Sequence, residues 1–175
     1  MGPAKLKKRI IAFGFDYLII SAYLIFLTLL SFWGQVSSFL LVLFENPMEA
    51  DLFFFAVLLL PVLLYFAISE SSMKRGSWGK QKANIQVTNQ SGGRITTGQA
   101  IGRNALKLLP WQITHTCIFH IDGWPFNVEN LSLAVNIGLI SVWVLVAIFL
   151  VTMLISKKNQ TLYDLVSGSY VTFRE

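Results

Sequence analysis

The chain has few charged residues for its length. Charged side chains make up 13% of its 175 residues, against about 25% in soluble domains, whereas 54% of the residues are hydrophobic. This balance excludes an ordinary soluble globular protein. Because the hydrophobic residues are concentrated in long runs, the composition indicates a single integral membrane domain that covers residues 1–175.

Cysteine and the motifs of soluble function classes are also scarce. Cys117 is the only cysteine, which excludes a disulfide framework and a thiolate metal site within one chain. The sequence contains neither a nucleic-acid-binding motif nor a recognisable catalytic set. It therefore predicts a membrane protein that is not an enzyme and has no cofactor, no metal site and no nucleic-acid partner.

Three apolar runs are long enough to cross a bilayer. They cover residues 10–33, 52–69 and 131–155. The second run contains Pro61, which predicts a kink because proline removes a helix hydrogen bond. A further segment, 105–121, has a weaker apolar signal. It is either the third of four transmembrane helices or an interfacial or re-entrant helix.

Basic residues are missing from two connecting stretches. Residues 33–52 and 120–131 contain carboxylates but neither lysine nor arginine, whereas all 14 basic residues lie in the N-terminal arm, in region 74–104 with Lys107, and in tail 156–175. Basic segments remain on the cytoplasmic side of a membrane. This distribution favours four spans in the cell (inner) membrane with both termini cytoplasmic, and a basic linker that faces anionic lipid headgroups.

The linker and the tail carry strand signals. Residues 83–88 alternate with period two, residues 89–93 form a turn signal and residues 94–96 follow, which predicts a small cytoplasmic β-hairpin. A helix is expected over residues 97–109, and residues 170–173 are expected to pair with the hairpin. The predicted fold class is an all-α integral membrane protein with a small cytoplasmic β-hairpin element.

Asp16 is the most informative charged residue. It lies roughly two turns inside the first run, where an unpaired carboxylate is costly. Arg9 precedes it on nearly the same helix stripe, and Ala12 between them leaves space for a neighbouring helix. Two interpretations remain open: an ion-pair clamp that fixes the helix at the interface, and an ion or proton site.

Two further carboxylates are predicted at the same end of the helices. Glu70 ends the second run and Asp164 follows the last one, both on the cytoplasmic side, while Lys80 and Arg103 lie in the basic linker. We therefore expect three carboxylates and several basic side chains to converge at the cytoplasmic mouth of the bundle.

The order and spacing of these motifs resemble the RDD family of membrane proteins over nearly the whole chain. The resemblance is carried by Arg9–Asp16, Glu70 with Gly76–Lys80, Ile85–Val87, Gly92 and Gly93, Arg103 and Asn104, and Leu162–Asp164 with Gly168. It assigns the arginine and the two aspartates that name the family to Arg9, Asp16 and Asp164. Ser77 stands where the family usually has threonine, so a hydroxyl is kept. The resemblance implies transport, with sodium/proton antiport among the activities proposed for the family.

Two functions follow from these patterns. The first is a small secondary transporter that exchanges Na⁺ or another monovalent cation for H⁺, with Asp16 as the titrating ligand. Glu70 and Asp164 then line the ion's entry and take part in binding or coupling, and the charge partners are Arg9, Lys80 and Arg103. Because four helices leave little room for a sealed pathway, this function implies a homo-oligomer. The second is a non-transporting scaffold or accessory protein that acts through its cytoplasmic segment, with the charge cluster locking the bundle.

Overall fold

The described part of the chain is predominantly helical and contains a small two-stranded β-sheet. The computed structural model describes residues 2–125, 128 and 130–174; Glu129, a carboxylate of the stretch 120–131, lies outside them. The helices, in chain order, are α1 (Leu6–Ser31), α2 (Gly34–Leu43), α3 (Pro47–Phe54), α4 (Leu60–Ser71), α5 (Trp78–Lys82), α6 (Thr97–Phe119), α7 (Leu133–Ile155) and α8 (Leu162–Val166). A π-helical turn (Phe55–Leu59) joins α3 to α4, and the strands are β1 (Ile85–Asn89) and β2 (Ser169–Phe173).

Three helices of the described chain are long and apolar enough to span a membrane. They are α1 with 26 residues, the continuous helix Pro47–Ser71 with 25 and α7 with 23. These helices correspond to the runs predicted at 10–33, 52–69 and 131–155, and they confirm a membrane protein. α1 begins at Leu6, which brings Arg9 into its first turn.

Helix α6 is less apolar than these three. It has 23 residues and continues through Pro110, so that its length is sufficient for a bilayer. Its polar composition leaves it outside the candidate spans. The total of four spans is therefore not confirmed, and the crossing by 105–121 stays a prediction.

Pro61 lies where the second span was predicted to kink. The structure has a π-helical turn, Phe55–Leu59, shortly before it. Because Pro61 has no N–H, the carbonyl of Val57 lacks its usual α-helical donor. The Tyr23 hydroxyl donates a hydrogen bond of 2.5 Å to this carbonyl. Since an unsatisfied backbone group is costly in lipid, Tyr23 offsets the cost of the proline.

The sheet connects three distant parts of the sequence. β1 and β2 are antiparallel, with Ile85 opposite Phe173. The N-terminal arm joins them, because Pro3 forms an antiparallel bridge with Thr172 and the Ala4 N–H donates to the Val171 carbonyl at 2.8 Å. The arm, the linker and the tail are thus hydrogen-bonded into one element.

The predicted β-hairpin is wrong, because residues 94–96 do not form a second strand. Thr96 instead begins α6: its N–H donates to Gln99 Oε1 at 2.9 Å, and its hydroxyl accepts the Gln99 N–H at 3.2 Å. This reciprocal arrangement is a capping box, a helix-start signal that commits the segment to α6. The expected pairing of residues 170–173 is confirmed, with β1 as the partner.

The chain divides into two compact units. Unit 1 comprises residues 1–20, 62–108 and 147–175. Its hydrophobic core consists mainly of small and β-branched residues: Ala4, Ala12, Ala67, Ala83, Ile85, Val87, Ile95, Ala100 and Val171. All buried polar and charged residues of the described chain also lie in unit 1. This unit therefore contains the candidate functional residues.

Unit 2 comprises residues 21–61 and 109–146, and its packing is aromatic. Phe54 and Phe119 stack with ring centroids 4.9 Å apart, and Phe44 stacks on both rings. The carboxylate of Asp51 accepts hydrogen bonds from neutral side chains of α6, including Thr116 at 2.8 Å. Among the described residues, Asp51 is therefore held by neutral donors rather than by an ion pair.

Candidate functional site

A network of buried ion pairs lies within unit 1, with Arg103 at its centre. Arg103 Nη1 contacts Glu70 Oε2 at 2.6 Å, and Arg103 Nη2 contacts Asp164 Oδ1 at 2.6 Å. The second oxygen of each carboxylate has its own basic partner: Lys80 Nζ for Glu70 at 2.6 Å and Arg9 Nη1 for Asp164 at 2.7 Å. Each carboxylate is therefore paired on both oxygens.

Burial makes every member of the network depend on its partners. Glu70 and Asp164 are fully buried, and Arg103 is only 2% exposed. Removing one partner of such a pair leaves an uncompensated charge and costs about 3–5 kcal/mol. Because its members come from α1, α4, α5, α6 and α8, the network fixes five helices of the unit at their polar ends.

Asn104 is a member of this network that our site prediction did not include. Its side-chain amide donates to Glu70 Oε2 at 2.9 Å and to the Ala100 carbonyl at 2.8 Å. Like Glu70, it is fully buried. The family resemblance includes Asn104, but no charge or periodicity signal distinguishes a buried asparagine, so sequence reasoning had no physical ground to select it.

Asp164 has both a local and a long-range role. It is the third residue of α8, and its Oδ2 accepts the N–H of Thr161 at 3.2 Å in a capping box. Burial alone would raise its pKa, but the guanidinium groups of Arg103 and Arg9 outweigh burial and hold the pKa below its ordinary value of 3.8. Asp164 is therefore ionised at neutral pH, as both contacts require.

Asp16 is held separately, by neutral donors. Its Oδ1 accepts hydrogen bonds from the Tyr65 hydroxyl at 2.9 Å and the Gly79 N–H at 2.7 Å, and its Oδ2 accepts one from the Ser77 hydroxyl at 2.5 Å. Asp16 is 2% exposed. Arg9, which the sequence offered as its partner, pairs with Asp164 instead. The prediction also lacked Tyr65, whose distance in sequence gives no signal of the contact.

Gly79 explains how the segment after α4 reaches Asp16. A Cβ atom at this position would collide with the Ala12 carbonyl of α1 and would lie 2.7 Å from Asp16 Cγ. Only glycine allows α5 to approach the backbone of α1 this closely. The space expected beside Ala12 is thus occupied by α5, and Ala12 itself is 3% exposed.

The structure brings all six predicted site residues into unit 1, in two arrangements. Five of them share the ion-pair network: Arg9, Glu70, Lys80, Arg103 and Asp164. Asp16 forms the second arrangement with its neutral donors. The assignment of Asp16, Glu70 and Asp164 as ion or proton ligands stays a prediction. Among the described residues, no group of three or more His, Cys, Asp or Glu side chains is arranged to hold a metal ion.

Comparison with protein families gives a match over most of the chain. The model of the RDD family matches residues 3–168, a range that contains both arrangements of the site. No curated protein and no solved structure matches the chain.

The contact between Gly79 and α1 predicts that Gly79→Ala destabilises the protein. The added methyl group collides with backbone rather than with a movable side chain, and overpacking of this kind costs about 1–3 kcal/mol or more. Gly102→Ala is the matched control, because a Cβ there meets nothing within 4 Å and alanine favours a helix. Thermal unfolding in detergent, followed by tryptophan fluorescence, measures both. A Gly79→Ala variant as stable as Gly102→Ala would contradict this contact.

The lowered pKa of Asp164 predicts a pH-dependent contribution to stability. A carboxylate whose pKa is lower in the folded state stabilises the fold above its unfolded pKa, and loses this effect as the pH falls through the folded pKa. We expect Asp164→Asn to cost about 3–5 kcal/mol at pH 7, and the difference from wild type to narrow below pH 3.8. Melting temperatures between pH 7 and pH 3 measure this difference.

The exposed carboxylate Glu45 supplies the control for this pH series, since Glu45→Gln should follow the wild-type profile at every pH. A gap between wild type and Asp164→Asn that stays constant from pH 7 to pH 3 would show that charge pairing does not account for the loss.

Proposed function

Since the chain belongs to the RDD family, we propose that it is a non-transporting membrane scaffold or accessory protein whose charge cluster locks unit 1 in one arrangement. One observation carries the proposal: Asp16, Glu70 and Asp164 each accept protein donors on both carboxylate oxygens. Carboxylates of this kind hold helices together. Neither oxygen is left without a protein donor, so neither is free to coordinate a transported cation. Regions 74–104 and 156–175, which contribute the two strands, then form the part that binds a partner.

Cation–proton exchange, the activity that the family resemblance implies, is the second candidate. It has support in a cavity of about 80 Å³ that Asp16 lines. A cation bound there would have to displace the donors of Asp16. It would also lie among Arg9, Lys80, Arg103 and Lys107, which line the same cavity and repel it electrostatically. We therefore rank exchange below the scaffold function.

We further propose four spans, with α6 as the third, in the cell's inner membrane with both termini cytoplasmic. The sheet supports this topology, because one hydrogen-bonded element cannot lie on both sides of a bilayer. It contains Pro3, β1 and β2, so the N-terminal arm, the linker and the tail share one side. α7 leads back to that side only if α6 also crosses. The basic residues of these three segments support the cytoplasmic assignment.

The scaffold function predicts that Asp16→Asn lowers the stability of the protein, and that neither this variant nor the wild type shows cation-dependent proton flux. The asparagine loses the charge that its three donors stabilise, so the melting temperature and the folded yield should fall, while wild-type vesicles show no proton flux on addition of Na⁺, K⁺ or Li⁺. The measurement is fluorescence of a pH dye in reconstituted vesicles at matched protein incorporation, alongside thermal unfolding. Glu45→Gln, at an exposed carboxylate, should match wild type in both assays.

Cation-dependent flux in wild type and Glu45→Gln that disappears in folded Asp16→Asn would overturn the scaffold function and support exchange. A stability of Asp16→Asn equal to that of wild type would also contradict it, because a locking carboxylate must contribute to the folded state.

The topology is tested by labelling single cysteines in a Cys117→Ala background. The exposed positions Lys5, Glu45 and Lys157 sample the N-terminal arm, the first loop and the tail. A membrane-impermeant maleimide should label Glu45→Cys in intact cells, and Lys5→Cys and Lys157→Cys only after permeabilisation. Labelling of Lys157→Cys in intact cells would mean that α6 does not cross.

A further inference from the structure

The cavity in unit 1 has a strongly basic lining. Four of its wall residues are Arg9, Lys80, Arg103 and Lys107, and Asp16 is the one carboxylate among the described residues that line it. Its volume is about 80 Å³, whereas a cavity of about 10–15 Å³ is enough for a single water molecule. The cavity therefore has room for several waters or for one small polyatomic anion.

The basic side chains around the cavity outnumber the carboxylates that neutralise them. The four lining bases contrast with three carboxylates in and beside the wall, Asp16, Glu70 and Asp164. One basic side chain of the lining therefore has no carboxylate to pair with among the described residues. A buried uncompensated charge is costly, so an anion in this cavity would lower the free energy of the folded state.

Lys107 is the basic residue that accounts for this excess. Within the described chain, Arg9, Lys80 and Arg103 each form a salt bridge, whereas Lys107 forms none. Its Nζ instead lies 3.5 Å from the centre of the Phe66 ring, a contact that holds the ammonium group in place but leaves its charge unneutralised.

Arg9 provides hydrogen-bond donors as well as charge. Its Nη1 contacts Asp164, but its Nε and Nη2 are buried and have no hydrogen-bond partner in the described chain. Leaving buried donors of a charged group unsatisfied is costly, and the planar guanidinium suits an oxyanion that accepts two parallel hydrogen bonds.

We propose that this cavity is a binding site for a phosphate-type oxyanion, held by Lys107 and by the unused N–H groups of Arg9. The anion neutralises the surplus charge and accepts the free donors, which a neutral water satisfies only in part and a cation not at all. Both a phospholipid headgroup and a free phosphate group have this chemistry. The inference does not depend on the scaffold function, and it opposes cation exchange, because a transported cation would occupy the same cavity.

The test uses the full-length, delipidated protein in neutral detergent, with thermal unfolding as the readout. Inorganic phosphate is titrated against sodium chloride at equal ionic strength. In parallel, the protein is placed in nanodiscs of phosphatidylcholine with or without phosphatidic acid. Lys107→Gln removes the surplus charge without breaking a salt bridge. Lys82→Gln is the matched control, because Lys82 also lies over an aromatic ring, that of Trp78, but does not line the cavity.

A saturable rise in the wild-type melting temperature with phosphate, with apparent affinity weakened on the order of tenfold by Lys107→Gln and unchanged by Lys82→Gln, supports a site open to free phosphate. A response to phosphatidic acid alone, lost only in Lys107→Gln, supports a lipid headgroup as the source. No response to either in the wild type, or equal loss in both variants, overturns the proposal.

Discussion

The guanidinium of Arg103 lies between two carboxylates that solvent does not reach, and the arrangement of unit 1 depends on this contact. Glu70 is near the end of a candidate membrane span, whereas Asp164 is in a short helix close to the C-terminus. Neither carboxylate would be stable there without a positively charged side chain beside it, because moving a charge from water into the protein interior is expensive. Arg103 compensates both at once, and Lys80 and Arg9 complete the pairing. The network thus links the N-terminal, central and C-terminal parts of the chain.

Unit 1 uses two different ways to satisfy a buried carboxylate. Glu70 and Asp164 have charged partners, whereas the donors to Asp16 in the described chain are Tyr65, Ser77 and a backbone N–H. The neutral donors of Asp16 require close approach of α5 to α1, which glycine at position 79 allows. The ion pairs are formed by the long side chains of Arg9, Lys80 and Arg103, and together they connect five helices. The two arrangements therefore have different structural roles. The contacts of Asp16 hold the backbones of α1 and α5 close together, and the ion pairs of Arg103 hold the ends of the other helices together.

The sequence was sufficient to predict which residues gather but not how they pair. The cost of a carboxylate in a membrane singled out Asp16, and the distribution of basic residues put Glu70 and Asp164 on the same side. Arg9 was the nearest base to Asp16 along the helix, yet its partner is Asp164, at the far end of the chain. The two residues are 155 positions apart in the sequence, and local patterns do not encode a contact over that distance. The hairpin prediction failed for a different reason. The turn at residues 89–93 is real, but the capping box of Thr96 and Gln99 begins a helix where a second strand was expected.

The ion pairs and hydrogen bonds of unit 1 restrict which of its side chains can bind a ligand. Asp16 and Asp164, the aspartates that the family resemblance marks, accept hydrogen bonds from the fold on both oxygens, whereas the matching arginine, Arg9, pairs with Asp164 through Nη1 alone in the described chain. Carboxylates used in this way maintain structure, and their loss lowers the stability of the fold. Chemistry directed at a ligand needs a group whose charge or donors the fold does not use. In unit 1 that description fits Lys107 and the remaining donors of Arg9 better than any carboxylate of the cluster. The surplus in this site is positive, so the ligand that the fold leaves room for is an anion.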